Sequence, residues 1–218
     1  MALRIAAHEA EGRGFVIRVR RPREPKDFDT RCRSEGKRWL KANASRLDKQ
    51  PRDFWSQFEP ELRRAFKCRC GWLAMWIARG QVDHYLSKHH PDPTVRKQQR
   101  ALAYEWRNLR YADGEVNNRK RNRDAEILDP HEVRDVWFQL NNALELEVTT
   151  ACPKSKRAKA AFTIEHLGLD RGTAVMRLRQ SFLARYEEEI ANGMDADAAL
   201  KVLERDAPLV AAYVRSSS

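Results

Sequence analysis

Residues 80–90 read GQVDHYLSKHH and hold three of the chain's six histidines, His84, His89 and His90. The stretch closes an apolar and aromatic run, CRCGWLAMWIARGQVDH, that ends in a turn at Arg79-Gly80 and a short strand through Val82. His84 comes directly after Asp83 at the end of that run, whereas His89 and His90 fall in what reads as an ordinary loop. A histidine in such a place is by default a hydrogen-bonded structural residue. The stretch alone therefore leaves open whether Asp83 and His84 are a reactive pair or two polar residues closing a strand.

Downstream, YEWRNLRYADG reads as a second strand-like piece that carries Asn108 and turns at Asp113-Gly114. EVNNRKRNRDAEIL then reads as the start of a helix with Asn117 near its beginning. Four basic residues, Arg119, Lys120, Arg121 and Arg123, follow at once. Between the two strands lie Pro91, Pro93 and many charges, predicting a loop with a helical turn near Val95–Leu102. LDPHEVRDVWFQL reads as a further helix or strand entry after Pro130.

Upstream, FVIRV (15–19) alternates weakly as a short strand and leads into the basic, proline-punctuated RRPREPKDF. Residues 33–47 read as a helix with Trp39, Leu40 and Leu47 as buried positions, broken by DKQPRDFW. From Phe54 onward, Trp55, Phe58, Leu62 and Phe66 recur at helical spacing, with Pro60 tolerable in a first turn. The last third is mostly helical, with the best candidates at Thr163–Leu167, Arg171–Ile190 and Asp195–Glu204. SKRAK (155–159) reads as a flexible basic linker.

The chain has 218 residues, 42% hydrophobic with six tryptophans, which suits a folded core. A net charge of +11 favours polyanionic partners, because each cation that neutralises a phosphate releases a condensed counterion. No run approaches the about 18 apolar residues of a membrane span, and the first residues lack the pattern of a secretory leader. Cys32, Cys68, Cys70 and Cys152 are too unevenly spaced for a disulfide framework, so a reducing cytoplasm is the expected compartment.

Hydrolysis of a phosphodiester needs an activated water, neutralisation of charge on the phosphoryl oxygens, and help for the departing oxygen. A neutral imidazole accepts a proton near pH 7, and Mg²⁺ needs few protein ligands because it keeps waters and uses substrate oxygens. The chain offers a histidine, an asparagine and a second asparagine in the order strand, strand, helix. In that order the blocks VDHYLSK, AYEWRNLRYA, VNNRK and ILDP resemble the HNH, or His-Me finger, endonucleases. They are similar to bacterial members that include nuclease subunits of anti-phage systems such as Septu. FWSQF…LRRAFKCRCG resembles the lead-in of those proteins and FTIEHLGLDR…MRLR their helical tail, so the likeness covers roughly residues 20–190.

The resemblance implies an α+β fold, mainly helical, with a ββα-metal (His-Me finger) core. It implies a metal-dependent endonuclease that hydrolyses DNA, with RNA as the alternative substrate. Within it, His84 is the general base, and Asn108 holds the loop and orients the imidazole. Asp83 and Asn117 are the ligands of Mg²⁺ or Mn²⁺, with Asn118 as alternative ligand; an N-cap role for Asn117 competes with ligation. Lys88, Arg110, Arg119, Lys120, Arg121 and Arg123 bind phosphates. An ATPase or another defence-system protein is the implied protein partner. A rival reading is a catalytically inactive nucleic-acid-binding or interaction subunit. One departure is visible: Cys68 and Cys70 form CxC where many relatives carry paired CxxC zinc ligands, and the later matching positions are Asp113 and Val116. A structural zinc is therefore not expected, and Trp72, Met75, Trp76 and Trp106 are expected to pack the finger instead. The chain divides into a lead-in (1–53), a nuclease core (54–150) and a helical C-terminal region (151–218), within one compact domain overall.

Overall fold

The computed structural model describes residues 19–170 and 173–217. The FVIRV reading lies, but for Val19, outside the described residues. From Val19 the chain runs without regular secondary structure past two prolines, and the Trp106 indole donates to the Pro22 carbonyl at 3.0 Å. A π-helical turn (Asp29–Arg33) feeds α1 (Ser34–Ala42). That helix is shorter than the sequence suggests. Asn43 closes it by donating its side-chain amide to the Trp39 carbonyl at 2.8 Å, the competition with backbone bonding that makes Asn a poor helix interior residue. Trp39, Leu40 and Leu47 are only half-buried; the buried positions of this segment are Cys32, Gly36 and Asn43. Gly36 is required by contact, since a Cβ there would sit 2.1 Å from the Tyr104 ring.

α2 (Glu59–Ala65) begins with Pro60 in its first turn, and Trp55, Phe58, Leu62 and Phe66 are all buried as their spacing predicts. The next residues form a compact knuckle: Cys70 N–H donates to the Met75 carbonyl, Ala74 N–H to Cys70, and Ile77 N–H to Cys68. Trp72, Met75 and Trp106 are buried, but Trp76 is 38% exposed and does not pack the interior.

The knuckle delivers the chain into β1 (Gln81–His84), which pairs antiparallel with β2 (Leu109–Ala112) in the register Asp83 to Arg110 and His84 to Leu109. Between the strands lie α3 (Pro93–Gln99) and two 3₁₀ turns, Arg100–Tyr104 and Trp106–Asn108. Asp92 caps α3 through Thr94 N–H and Val95 N–H. After β2, Asp113 caps α4 (Gly114–Lys120) by accepting from the Glu115 and Val116 amides. That removes the N-cap role considered for Asn117, which sits a full turn inside.

A hairpin of β3 (Phe138–Leu140) and β4 (Leu146–Val148) follows. Then come α5 (Lys154–Leu167), α6 (Thr173–Ala191), α7 (Ala196–Asp206) and α8 (Pro208–Ser217). SKRAK is not a linker; it is the first half of α5, built from good helix formers. The fold is thus α+β and mainly helical, with two small two-stranded sheets among the described residues. One apolar core takes residues from all three segments of the chain, from Phe28 through Phe66 and Tyr111 to Val210. Among the described residues no helix is long and apolar enough to cross a membrane.

Candidate active site

A cleft of about 410 Å³ opens where β1 ends, lined by Asp83, His84, Ser87, Lys88, His89, Asn117, Arg121 and Asn122 among others. Asp83 and His84 are its buried floor, at 5% and 4% exposure.

The His84 ring is held on three sides. Its Nε2 lies 3.1 Å from the Ala103 carbonyl, which can only accept, so Nε2 carries the proton and Nδ1 the lone pair. Nδ1 lies 3.1 Å from the Lys88 ammonium. Trp55 meets the ring edge-on at 4.5 Å between centroids. Burial drives the imidazole well below its ordinary range, and the Lys88 and Lys120 charges push the same way. The ring is therefore neutral at pH 7, the state a proton acceptor requires.

Asn108 fixes the frame around that ring. Its Oδ1 accepts from Leu86 N–H at 2.8 Å, and its Nδ2 donates to the carbonyls of Leu86 and Leu102 at 3.0 and 3.1 Å. Its own carbonyl accepts from Tyr85 N–H. One buried side chain thus ties the loop leaving His84 to the 3₁₀ turn whose Ala103 carbonyl orients the imidazole.

Asp83 Oδ1 forms an ion pair with Lys120 at 3.2 Å, while Oδ2 is buried with no hydrogen-bond partner. Burial pushes this carboxyl up, and the Lys120 ammonium, then Arg110, pull it back. A buried carboxylate oxygen without a partner is costly unless something outside the protein chain satisfies it. Asn117 stands on the same cleft with its Nδ2 donated to Gln81 Oε1 at 3.0 Å, which leaves its amide oxygen as an acceptor. Two hard oxygen donors on one cleft fit a cation of the Mg²⁺ type, which takes one or two protein ligands. Among the described residues no group of three or more His, Cys, Asp or Glu side chains gathers as a ligand set. Asn118 is exposed and is not among the residues lining the cleft.

Of the six cations expected on phosphate, two face the cleft, Lys88 and Arg121. Arg110 is 1% exposed and holds Asp129 through two bonds of 2.8 and 2.6 Å. Lys120 is equally buried and donates to the His84 carbonyl at 2.9 Å, pinning α4 to β1. Neither reaches solvent, because each offsets a buried carboxylate. Arg119 and Arg123 are exposed but paired with Glu115 and Glu126. Conversely, His89, read as a loop residue, stands on the cleft wall with Ser87 and Asn122. Only proximity to His84 in sequence could have flagged it. His90 accepts from Asp92 N–H and stays outside.

Compared with known proteins, the chain matches no family model, no curated protein and no solved structure.

Proposed function

We propose that the protein is a metal-dependent endonuclease of the HNH type, cutting DNA phosphodiester bonds, with β1, β2 and α4 as its ββα-metal unit. The observation that carries this reading is the neutral, tautomer-fixed imidazole of His84 beside the partnerless Asp83 Oδ2 in a cleft also lined by Lys88 and Arg121. Asp83 and Asn117 would hold the Mg²⁺, which when bound supplies positive charge to the phosphoryl oxygens and the departing oxygen. His84 Nδ1 takes a proton from water as its oxygen forms a bond to phosphorus. The bond from phosphorus to the 3′ oxygen breaks, and that oxygen is protonated from solvent. The products are a 5′-phosphate and a 3′-hydroxyl. Asn108 and Ala103 keep the imidazole aligned, and Arg121 binds the phosphate. A role in anti-phage defence beside an ATPase belongs to the same reading through the resemblance of its sequence blocks.

Incubation of purified protein with supercoiled plasmid and Mg²⁺ or Mn²⁺ tests this. Nicked or linear product is expected, and EDTA is expected to abolish it. Cleavage that persists in EDTA contradicts the metal-dependent chemistry. Intact plasmid with the protein alone, and cleavage once an ATPase partner is added, would favour a subunit that works only in complex.

A further inference from the structure

His84 has no free nitrogen. Nε2–H donates to the Ala103 carbonyl, and Nδ1 is 3.1 Å from the Lys88 Nζ. An ammonium has three donors and no acceptor, so this second contact runs from Lys88 to the imidazole lone pair. A nitrogen that already accepts such a bond cannot take a proton from water. If His84 is the general base, as proposed above and on which this inference rests, Lys88 must leave it before the reaction.

The surroundings say where Lys88 goes. Its ammonium lies 5.0 Å from the centroid of the Trp55 ring, the same ring that packs edge-on against His84. Trp55 is buried and acts as a fixed wall for both side chains. Lys88 itself is half-buried, lines the open cleft, and its four-carbon stem can swing while its backbone stays in place. A phosphodiester oxygen carries a negative charge that attracts the Lys88 ammonium, whereas the neutral imidazole offers only a lone pair. A phosphodiester entering the cleft therefore outcompetes the imidazole for Lys88. Arg110 and Lys120 cannot take that place, since both are committed to buried carboxylates, which leaves Lys88 and Arg121 as the cations on the cleft.

We propose that Lys88 latches His84 Nδ1 while the cleft is empty and transfers to a phosphate oxygen when nucleic acid binds, so that the substrate's own charge uncovers the base. The device keeps the lone pair from solvent until a phosphodiester is in place.

The test is nitrogen NMR of the full chain labelled at histidine, with a short DNA duplex in EDTA as the probe so that nothing is cleaved. In the free wild type, His84 Nδ1 should resonate as a hydrogen-bonded acceptor. Lys88→Met keeps the length of the stem but removes the donor, and should move Nδ1 to the position of an unbonded lone pair. Lys88→Arg keeps a donor and should leave it near the wild-type position. Saturating duplex should shift wild-type Nδ1 the way Lys88→Met does, and leave that of Lys88→Met where it is. An Nδ1 resonance identical in wild type and a folded Lys88→Met variant overturns the latch. A wild-type Nδ1 that does not move with added duplex overturns the transfer. Cleavage by His84→Ala is a separate readout: if that variant is inactive while Nδ1 behaves as just described for an overturned latch, the nuclease reading stands and the latch alone falls.

Discussion

Asn108 is the side chain on which the geometry of the cleft depends. Truncating it to Ala leaves Leu86 N–H and Leu86 C=O without these partners in a half-buried place, and leaves the Leu102 carbonyl only its bond from Glu105 N–H. At about 1 kcal/mol per net hydrogen bond and more for stranded buried groups, Asn108→Ala should cost roughly 2–4 kcal/mol. Urea denaturation measures this, and a loss under about 1 kcal/mol would mean that the loop is held elsewhere. Asn108 and His84 were picked out through the resemblance of their sequence blocks, since a histidine after an apolar run or an asparagine in a strand-edge turn reads by itself as a residue that bonds backbone. Arg110 and Lys120 were not legible. A basic residue in sequence declares its charge and not its direction, and all four residues of β2 are buried, so no polar face marks Arg110 as turned inward.

Among the elements, α4 is short and ends abruptly. Arg121 follows it at φ 47° and ψ −121°, a conformation that L side chains rarely adopt. In this strained conformation Arg121 is exposed and lines the cleft. Arg121→Gly should relieve the strain and stabilise the protein by about 1 kcal/mol, while DNA binding weakens. Thermal denaturation and fluorescence anisotropy with labelled duplex read the two effects. A variant that melts lower, or that binds DNA as tightly, would refute the assignment. The strand-strand-helix order was readable because each strand is flanked by turn residues. The β3–β4 hairpin was not: its turn has no glycine and uses Leu144 at φ 60° instead. The basic start of α5 was misread because charge alone looks like a linker, whereas Lys, Arg and Ala favour helix.

Across the whole molecule, the main core ties the N-terminal lead-in to the C-terminal helices, and His131 is one of its joints. Its Nδ1 lies 2.7 Å from the Val19 carbonyl, its ring packs on Phe66, and its Nε2 is buried without a partner. Burial, reinforced by Arg110, lowers its pKa to about 4. The unfolded chain therefore binds the proton first as pH falls, and stability is present above the ordinary histidine range and lost between about pH 6.5 and 4. The contribution is on the order of 2 kcal/mol after allowing for partial solvent contact. Denaturation midpoints should drop across that window, and His131→Phe should flatten the drop. An unchanged slope would remove His131 from this role. Such a joint is invisible in sequence, since its partners lie far away along the chain.

The central claim is that His84 acts as the base. Its most direct measurement is the rate of supercoiled plasmid cleavage in Mg²⁺ by wild type and by His84→Ala, with circular dichroism confirming that the variant is folded. Loss of a general base predicts a fall on the order of 10²–10⁴-fold. Equal rates from the folded variant and the wild type would contradict it.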